Sequence, residues 1–269
     1  MKNVFVRTVI GLLGMCVGMT VSAQSIPSQG TWTTTLQARD LDGNLANGPE
    51  AYYDSALNIT WMANANLGKG SVYDTQDSNG AITWNQAQTL VTDLSVGGVT
   101  GWRLPKVSPV NGIDWQYYSA NDWWTGSRDQ SYNIVSKNSE MAYMFHVELG
   151  NKSIVDTSGN DQEGYGITNA GPFSSYDAGW GYWFGTSFDQ HAGDPRYAPA
   201  SWLFYPDFGS QGWAKQENLL YAWAVHDGDV GAAIAPVPEP ETYQLMLAGL
   251  VGLAAVARRR QRLASGRVS

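Results

Sequence analysis

The sequence predicts an α+β domain, a set of short strands with two helices, flanked by two end segments that lie outside it. Three observations carry that prediction. The stretch "ITWNQAQTLVTDLSVGG" reads as a capped amphipathic helix. Ser139 to Leu149 carries a second helical pattern. Elsewhere, aromatic-rich runs too short for helices alternate with glycine turns: "TGWRLP", "WGYWFGTSF", "SWLFYPDFG" and "LLYAWAVHDGD". No repeat of roughly 20–50 residues is present, and no linker precedes Ala232, so residues 24–235 are expected to form one domain.

Taken in order, the chain opens on "MKNVFVRTVIGLLGMCVGMTVSAQ". Lys2 and Arg7 supply a positive start, Val9 to Val21 is mostly apolar, and Val21-Ser22-Ala23 is a small-residue cleavage site. Residues 1–23 are therefore expected to be a secretory signal peptide cut after Ala23. Residues 24–50 are polar, with apolar Trp32 and Leu36 spaced as in a lead-in strand or two. "DLDGN", Asp40 to Asn44, has the residues of a turn but too few regularly spaced oxygens for a calcium loop. "DTSGNDQEG", Asp156 to Gly164, reads as a solvated loop for the same reason.

Thr83 can cap the first helix, with Gln86 three residues on completing a capping box. Trp84, Ala87, Leu90, Val91 and Leu94 fall on one face, and Gly97-Gly98 stop it. The second helix would bury Met141, Met144, Phe145 and Leu149 and end at Gly150.

Composition narrows the function classes. Cys16 is the only cysteine and falls in the signal segment, so the mature chain has no disulfide, thiolate ligand or cysteine nucleophile. The 12 tryptophans all lie between Trp32 and Trp223 and supply the apolar area that packing needs. Residues 24–240 carry nine basic and 23 acidic side chains, a net charge of about −14. Such a body repels nucleic acid and anionic lipid.

From Tyr243 to Ala257 fifteen residues are almost all apolar, against the roughly 20 that a membrane-spanning helix needs. Arginines follow directly and would hold that end on the cytoplasmic side. Residues 236–262 thus resemble the PEP-CTERM sorting signal: Pro238, Glu239 and Pro240, then the apolar segment 243–257, then Arg258 to Arg260. The resemblance implies an exosortase as processing partner, transient membrane insertion, and release toward the cell surface or the extracellular polysaccharide of a Gram-negative bacterium. On its physics alone the same segment reads as an ordinary inner-membrane anchor.

The body resembles a second family. "YYDSALNITWMANAN", "ITWNQAQTLVTDL", "TGWRLP", "YWFGTSF", "SWLF" and "YAWAV" follow one another between residues 51 and 229 as they do in the Lcl C-terminal-like domain family. That resemblance implies a fold related to C-type lectin-like modules. Many members carry cysteines near these motifs, and this mature chain has none. The formylglycine-generating enzymes of a neighbouring fold group rely on active-site cysteines, so their chemistry is excluded here.

Within the body, "DWQYYSANDWW" places Trp115, Tyr117, Tyr118, Trp123 and Trp124 beside Asn121 and Asp122, the composition of a sugar-stacking surface. The same rings could equally fill the core of a domain poor in Leu, Ile and Phe. Arg103 reads as a carboxylate clamp for a ligand, or as a structural guanidinium paired with an internal acid and stacked on a ring. His146, His191 and His226 lack the close spacing of a zinc site. No G-x-S-x-G elbow is present; Ser127 in "TGSRD" lacks the second glycine. No catalytic, cofactor or metal residue is assigned. The expectation is a non-enzymatic, exported surface or matrix protein that binds glycan, with a secreted polysaccharide hydrolase or a permanently anchored periplasmic protein as alternatives.

Overall fold

The central hairpin of the main sheet owes its turn to one aspartate. In the computed structural model, which describes residues 25–233 apart from 77, 177, 178, 191, 192, 195, 197 and 198, β2 (Ala51–Asp54) turns back into β3 (Ile59–Met62). Asp54 Oδ1 accepts from the backbone N–H groups of Ala56 and Leu57 at 2.8 and 3.0 Å. Asn58 closes the turn at φ +54°, a left-handed conformation that asparagine tolerates. Every residue of β3 is buried, so this sheet is covered on both faces there.

Ahead of the hairpin lies β1 (Leu36–Asp40), preceded by one helical turn, α1 (Trp32–Thr35). The lead-in segment is thus a turn of helix followed by a strand. β7 (Val225–Asp227) and β8 (Ala232–Ala233) complete an antiparallel sheet in the order β7-β3-β2-β1-β8. Chain-distant strands hold the two edges, and Arg39 on β1 pairs with Asp229 between them at 2.6 Å.

A second sheet is a meander of β4 (Tyr182–Ser187), β5 (Ala200–Tyr205) and β6 (Ser210–Lys215). Gly209, at φ +63°, permits its β5–β6 turn, because a Cβ there would come within 2.8 Å of Ser153. The expected run "LLYAWAVHDGD" is extended, but only Val225–Asp227 belongs to a strand. Before it, Leu220 bridges Ile82 and Tyr221 bridges Tyr182, while Val225, at the start of the strand, bridges Arg103. "TGWRLP" contributes only that last bridge, between the buried Trp102 and Leu104.

α2 (Trp84–Thr92) has both bonds of the capping box, from Thr83 and Gln86, and buries Ala87 and Val91. The second expected helix is a single α-turn, α3 (Glu140–Tyr143), capped by Ser139, which continues as a π-helical turn, Met144–Glu148. Its widened register shows in the bond from Leu149 N to Met144 O at 2.9 Å. Among the described residues the outcome is a mostly β, α+β architecture, with three helical elements where the sequence indicated two. None of these helices is long and apolar enough to cross a membrane. The signal segment with Ala23, and the segment 243–257, lie outside the described residues.

The core is aromatic. Trp61, Trp183, Trp202 and Trp223 are fully buried, and indole N–H groups donate from Trp61 to Asp54 Oδ2, from Trp183 to Ile82 O and from Trp223 to Met62 O. Arg103 takes the structural part: it grips both oxygens of Glu140 at 2.8 Å and also pairs with Asp227. The cation–ring contacts found are instead Arg39 over Tyr53 and Lys137 over Tyr143.

One buried acid has a consequence for pH. Glu148 Oε2 accepts from the hydroxyls of Thr31 and Thr35, while Oε1 has no partner. Burial pushes its carboxyl up, the threonine hydroxyls oppose this, and the charge of Asp54 adds to the rise. A carboxyl raised in the folded state stabilises most below the ordinary glutamate range, and that contribution is lost as pH rises through the folded value. Relative to Glu148→Gln, the wild-type protein should therefore lose thermal stability on the way from about pH 4 to about pH 8. Asp54 and Asp129, also pushed up by burial, act in the same direction in both proteins, and buried His146, pushed down to about 4, acts in the opposite one, so the difference between the two profiles is what reports Glu148. Identical pH profiles for the two proteins would show that Glu148 does not titrate in this range.

Candidate functional site

A long loop, residues 108–133, is held in shape by its own polar groups. Asp129, fully buried, accepts from the backbone of Val110 at 2.7 Å and from that of Gln116. Burial raises its carboxyl, and those two N–H groups work in the opposite direction. Arg128 pairs with Asp122 at 2.8 Å and donates to Gln116 Oε1 at 2.9 Å. Its hydrogen bond holds the Asp122 carboxyl below the usual range. Gly126 turns the chain at φ +80°, where a Cβ would strike Asn133 O. Ser127 hydrogen-bonds the Thr125 hydroxyl at 2.7 Å, a local turn contact.

This loop lies against the second sheet and sorts the five candidate rings into three places. Trp115 and Tyr117 face inward: Trp115 stacks on buried Trp202 at 4.8 Å, and Tyr117 lies parallel to it at 6.2 Å. Trp124 meets Trp123 edge-on at 5.4 Å and lies beneath Gly159, whose Cβ would be 3.2 Å from its ring. Tyr118 and Trp123 line a groove.

The groove has a volume of about 270 Å³ and runs between the loop and the β6 edge of the second sheet. Its rings are Tyr118, Trp123, Tyr132, Tyr205 and Trp213; its polar groups come from Gln130, Ser131, Ser210 and Gln211. No lining residue is an acid, a base or a histidine. Trp213 is fixed by stacking on Phe188 at 5.2 Å, and Trp123 by Tyr132 at 5.0 Å. Gln211 is a buried floor post: Nε2 donates to Asp129 O at 2.8 Å, and Oε1 accepts from Ser139, the cap of α3. A buried amide with both ends satisfied holds the loop and sheet in one register.

Sequence reasoning found two of the five groove rings. Tyr132 and Trp213 stand alone in polar surroundings, Tyr205 ends an aromatic run that reads as a buried strand, and "SQGWAK" gives β6 a weak alternation. The β5–β6 pairing, Tyr205 opposite Ser210, and the bridge from Tyr132 to the same Ser210 bring them together.

The two described histidines do not converge. His146 lies between Asn151 O and Gly209 O, each 3.2 Å from a ring nitrogen, and burial lowers its pKa to about 4. His226 packs edge-on to Trp102 at 5.6 Å. His191 lies outside the described residues. Among the described residues the group that could hold a cation is Asp40, Asp42 and Glu50, with ligand oxygens within 4.8 Å of one another. These oxygens already accept from the backbone of Gly43, Asn44 and Leu41, as the expected turn requires.

No curated protein and no solved structure matches the chain. The end of the chain is different. Residues 236–261 match the PEP-CTERM protein-sorting motif. Pro238, Glu239 and Pro240 fall inside the match, which coincides within one residue with the segment read from the sequence. A PEP-CTERM motif marks a protein exported and sorted to the cell envelope or surface, with an exosortase as its processing partner. The tripeptide lies outside the described residues; the last described one, Ala233, is held in β8 against Arg39.

Proposed function

We propose that this PEP-CTERM protein is a non-enzymatic component of the cell surface or extracellular matrix that binds neutral glycan in the groove of Tyr118, Trp123, Tyr132, Tyr205 and Trp213. One observation carries the reading: five rings and the side chains of Gln130 and Ser210 meet in a groove with no carboxylate, lysine, arginine or histidine, over a floor of Ser131 and Gln211 that is hydrogen-bonded within the protein. Rings stack on the apolar faces of sugars, and amides and hydroxyls orient their hydroxyl groups. Glycoside hydrolysis needs a pair of carboxyl groups flanking the bond, and this lining supplies none. Net charge of about −14 on the body further favours a neutral polymer over a uronic or sulfated one.

The order of motifs from residue 51 to 229 supports kinship with the Lcl C-terminal-like domain family and a C-type-lectin-like fold. The short apolar segment 243–257 supports transient insertion in the inner membrane before the tail is removed. No nucleic acid enters this reading.

The test is a glycan array on the mature protein, followed by analysis of each bound glycan for cleavage. Binding to neutral glycans without released fragments is expected, and Trp123→Ala should weaken it about tenfold, about 1.4 kcal/mol. Cleavage products would defeat the non-enzymatic reading. Binding confined to polyanions, or absent, would defeat the neutral-glycan reading.

A further inference from the structure

The middle of β6 is a glycine that the fold does not require. Gly212 pairs with Leu203, its φ lies outside the left-handed region, and a Cβ built on it would meet no atom within 4 Å. Other glycines of this sheet have reasons. Gly209 needs φ +63° and sits against Ser153, and a Cβ on Gly185 would touch Leu104 at 3.4 Å. Glycine inside a strand weakens it and leaves nothing to pack, and it often marks close approach by a ligand. Gly212 lines the groove, and the space its side chain would take is open.

Aromatic surface continues beyond the groove. Tyr205, one of the lining rings, lies 6.5 Å from Phe208, which is 42% exposed. Tyr165, 47% exposed, is brought to the same end by Gly166, whose Cβ would lie 3.3 Å from Asp207 O. Tyr118, 60% exposed, is a ring of the groove itself. A pocket for a chain end would close around one sugar. Here uncharged rings extend past the groove along the turn of β5–β6.

We propose, resting on the glycan reading above, that this surface is a track for the interior of an extended neutral polysaccharide. One sugar ring lies over the bare backbone at Gly212, and later units of the chain stack on Phe208 and Tyr165. Gly212 sets the clearance and Phe208 supplies the length dependence.

The test uses the mature protein and calorimetry with neutral glucans, mannans and galactans, each as dimer, hexamer and polymer. In at least one series the hexamer and polymer should bind about tenfold or more tightly than the dimer. Phe208→Ala should remove that advantage, bringing hexamer and polymer affinity down toward that of the dimer. Gly212→Val should keep or raise the melting temperature and weaken every member of the bound series at least about tenfold. Should valine lower the melting temperature, Gly212→Ala, which fills less of the same space, carries the clearance test. A dimer bound as tightly as the hexamer would overturn the track while leaving the glycan reading intact. So would full binding by a folded Gly212 variant. No binding in any series would overturn the glycan reading and the track together.

Discussion

Trp223→Ala should cost about 3–5 kcal/mol, a large part of the roughly 5–15 kcal/mol that holds a typical domain folded. Trp223 is fully buried where the two sheets meet. Its ring lies 4.6 Å from Trp61, 4.7 Å from Phe173 and 5.1 Å from Tyr176. Truncation would leave a cavity bounded by large rigid rings, which collapse poorly into empty space. It would also strip Met62 O of its 2.8 Å bond from the indole N–H, leaving a buried carbonyl unpaired. Trp223→Phe separates these effects, since it keeps much of the ring packing and loses the donor; about 1–3 kcal/mol is expected. Urea denaturation followed by circular dichroism gives both values. A loss under about 1 kcal/mol for alanine would mean that the junction repacks and is not the rigid cluster described.

Replacing Pro238, Glu239 and Pro240 by alanine should abolish removal of the tail in the native host. The full-length product should then accumulate in the inner membrane and be absent outside it. The folded body should be unaffected, because the last described residue, Ala233 of β8, lies upstream of the matched segment. Prolines flanking a residue disfavour helix there, which suits a motif read as extended chain. Intact mass and fractionation decide the outcome. A variant still trimmed and still released would show that the tripeptide is not the recognised element. A wild-type protein found with its tail intact would make the segment a permanent anchor.

These two expectations rest on very different parts of the reading. The tail was legible in the sequence because its information is local: a tripeptide, an apolar run and an arginine cluster in order. The α2 helix was legible for the same reason, since Thr83 and Gln86 cap it with residues three apart. The helix expected over Ser139–Leu149 was right in its place and wrong in its register. Met144 to Glu148 widen into a π-turn, and propensity carries no sign of that. Its last residue, Glu148, meets the hydroxyls of Thr31 and Thr35, more than 100 positions away in the chain.

The groove shows the limit most clearly. "DWQYYSANDWW" announced an aromatic surface, and the residues in it are adjacent in sequence, yet the loop turns Trp115 and Tyr117 into the core and Tyr118 and Trp123 outward. That division depends on Asp129 holding the loop from within and on Trp202 waiting beneath it. The sequence by itself determined the export address, the capped helix and an aromatic core, because each follows from neighbouring residues or from composition. Only the tertiary structure decided which rings meet at the edge of β6 and that Gly212 keeps the space between them open. Strand pairing joins positions whose partners lie on other segments, and the local pattern of a strand does not say which segment will lie beside it.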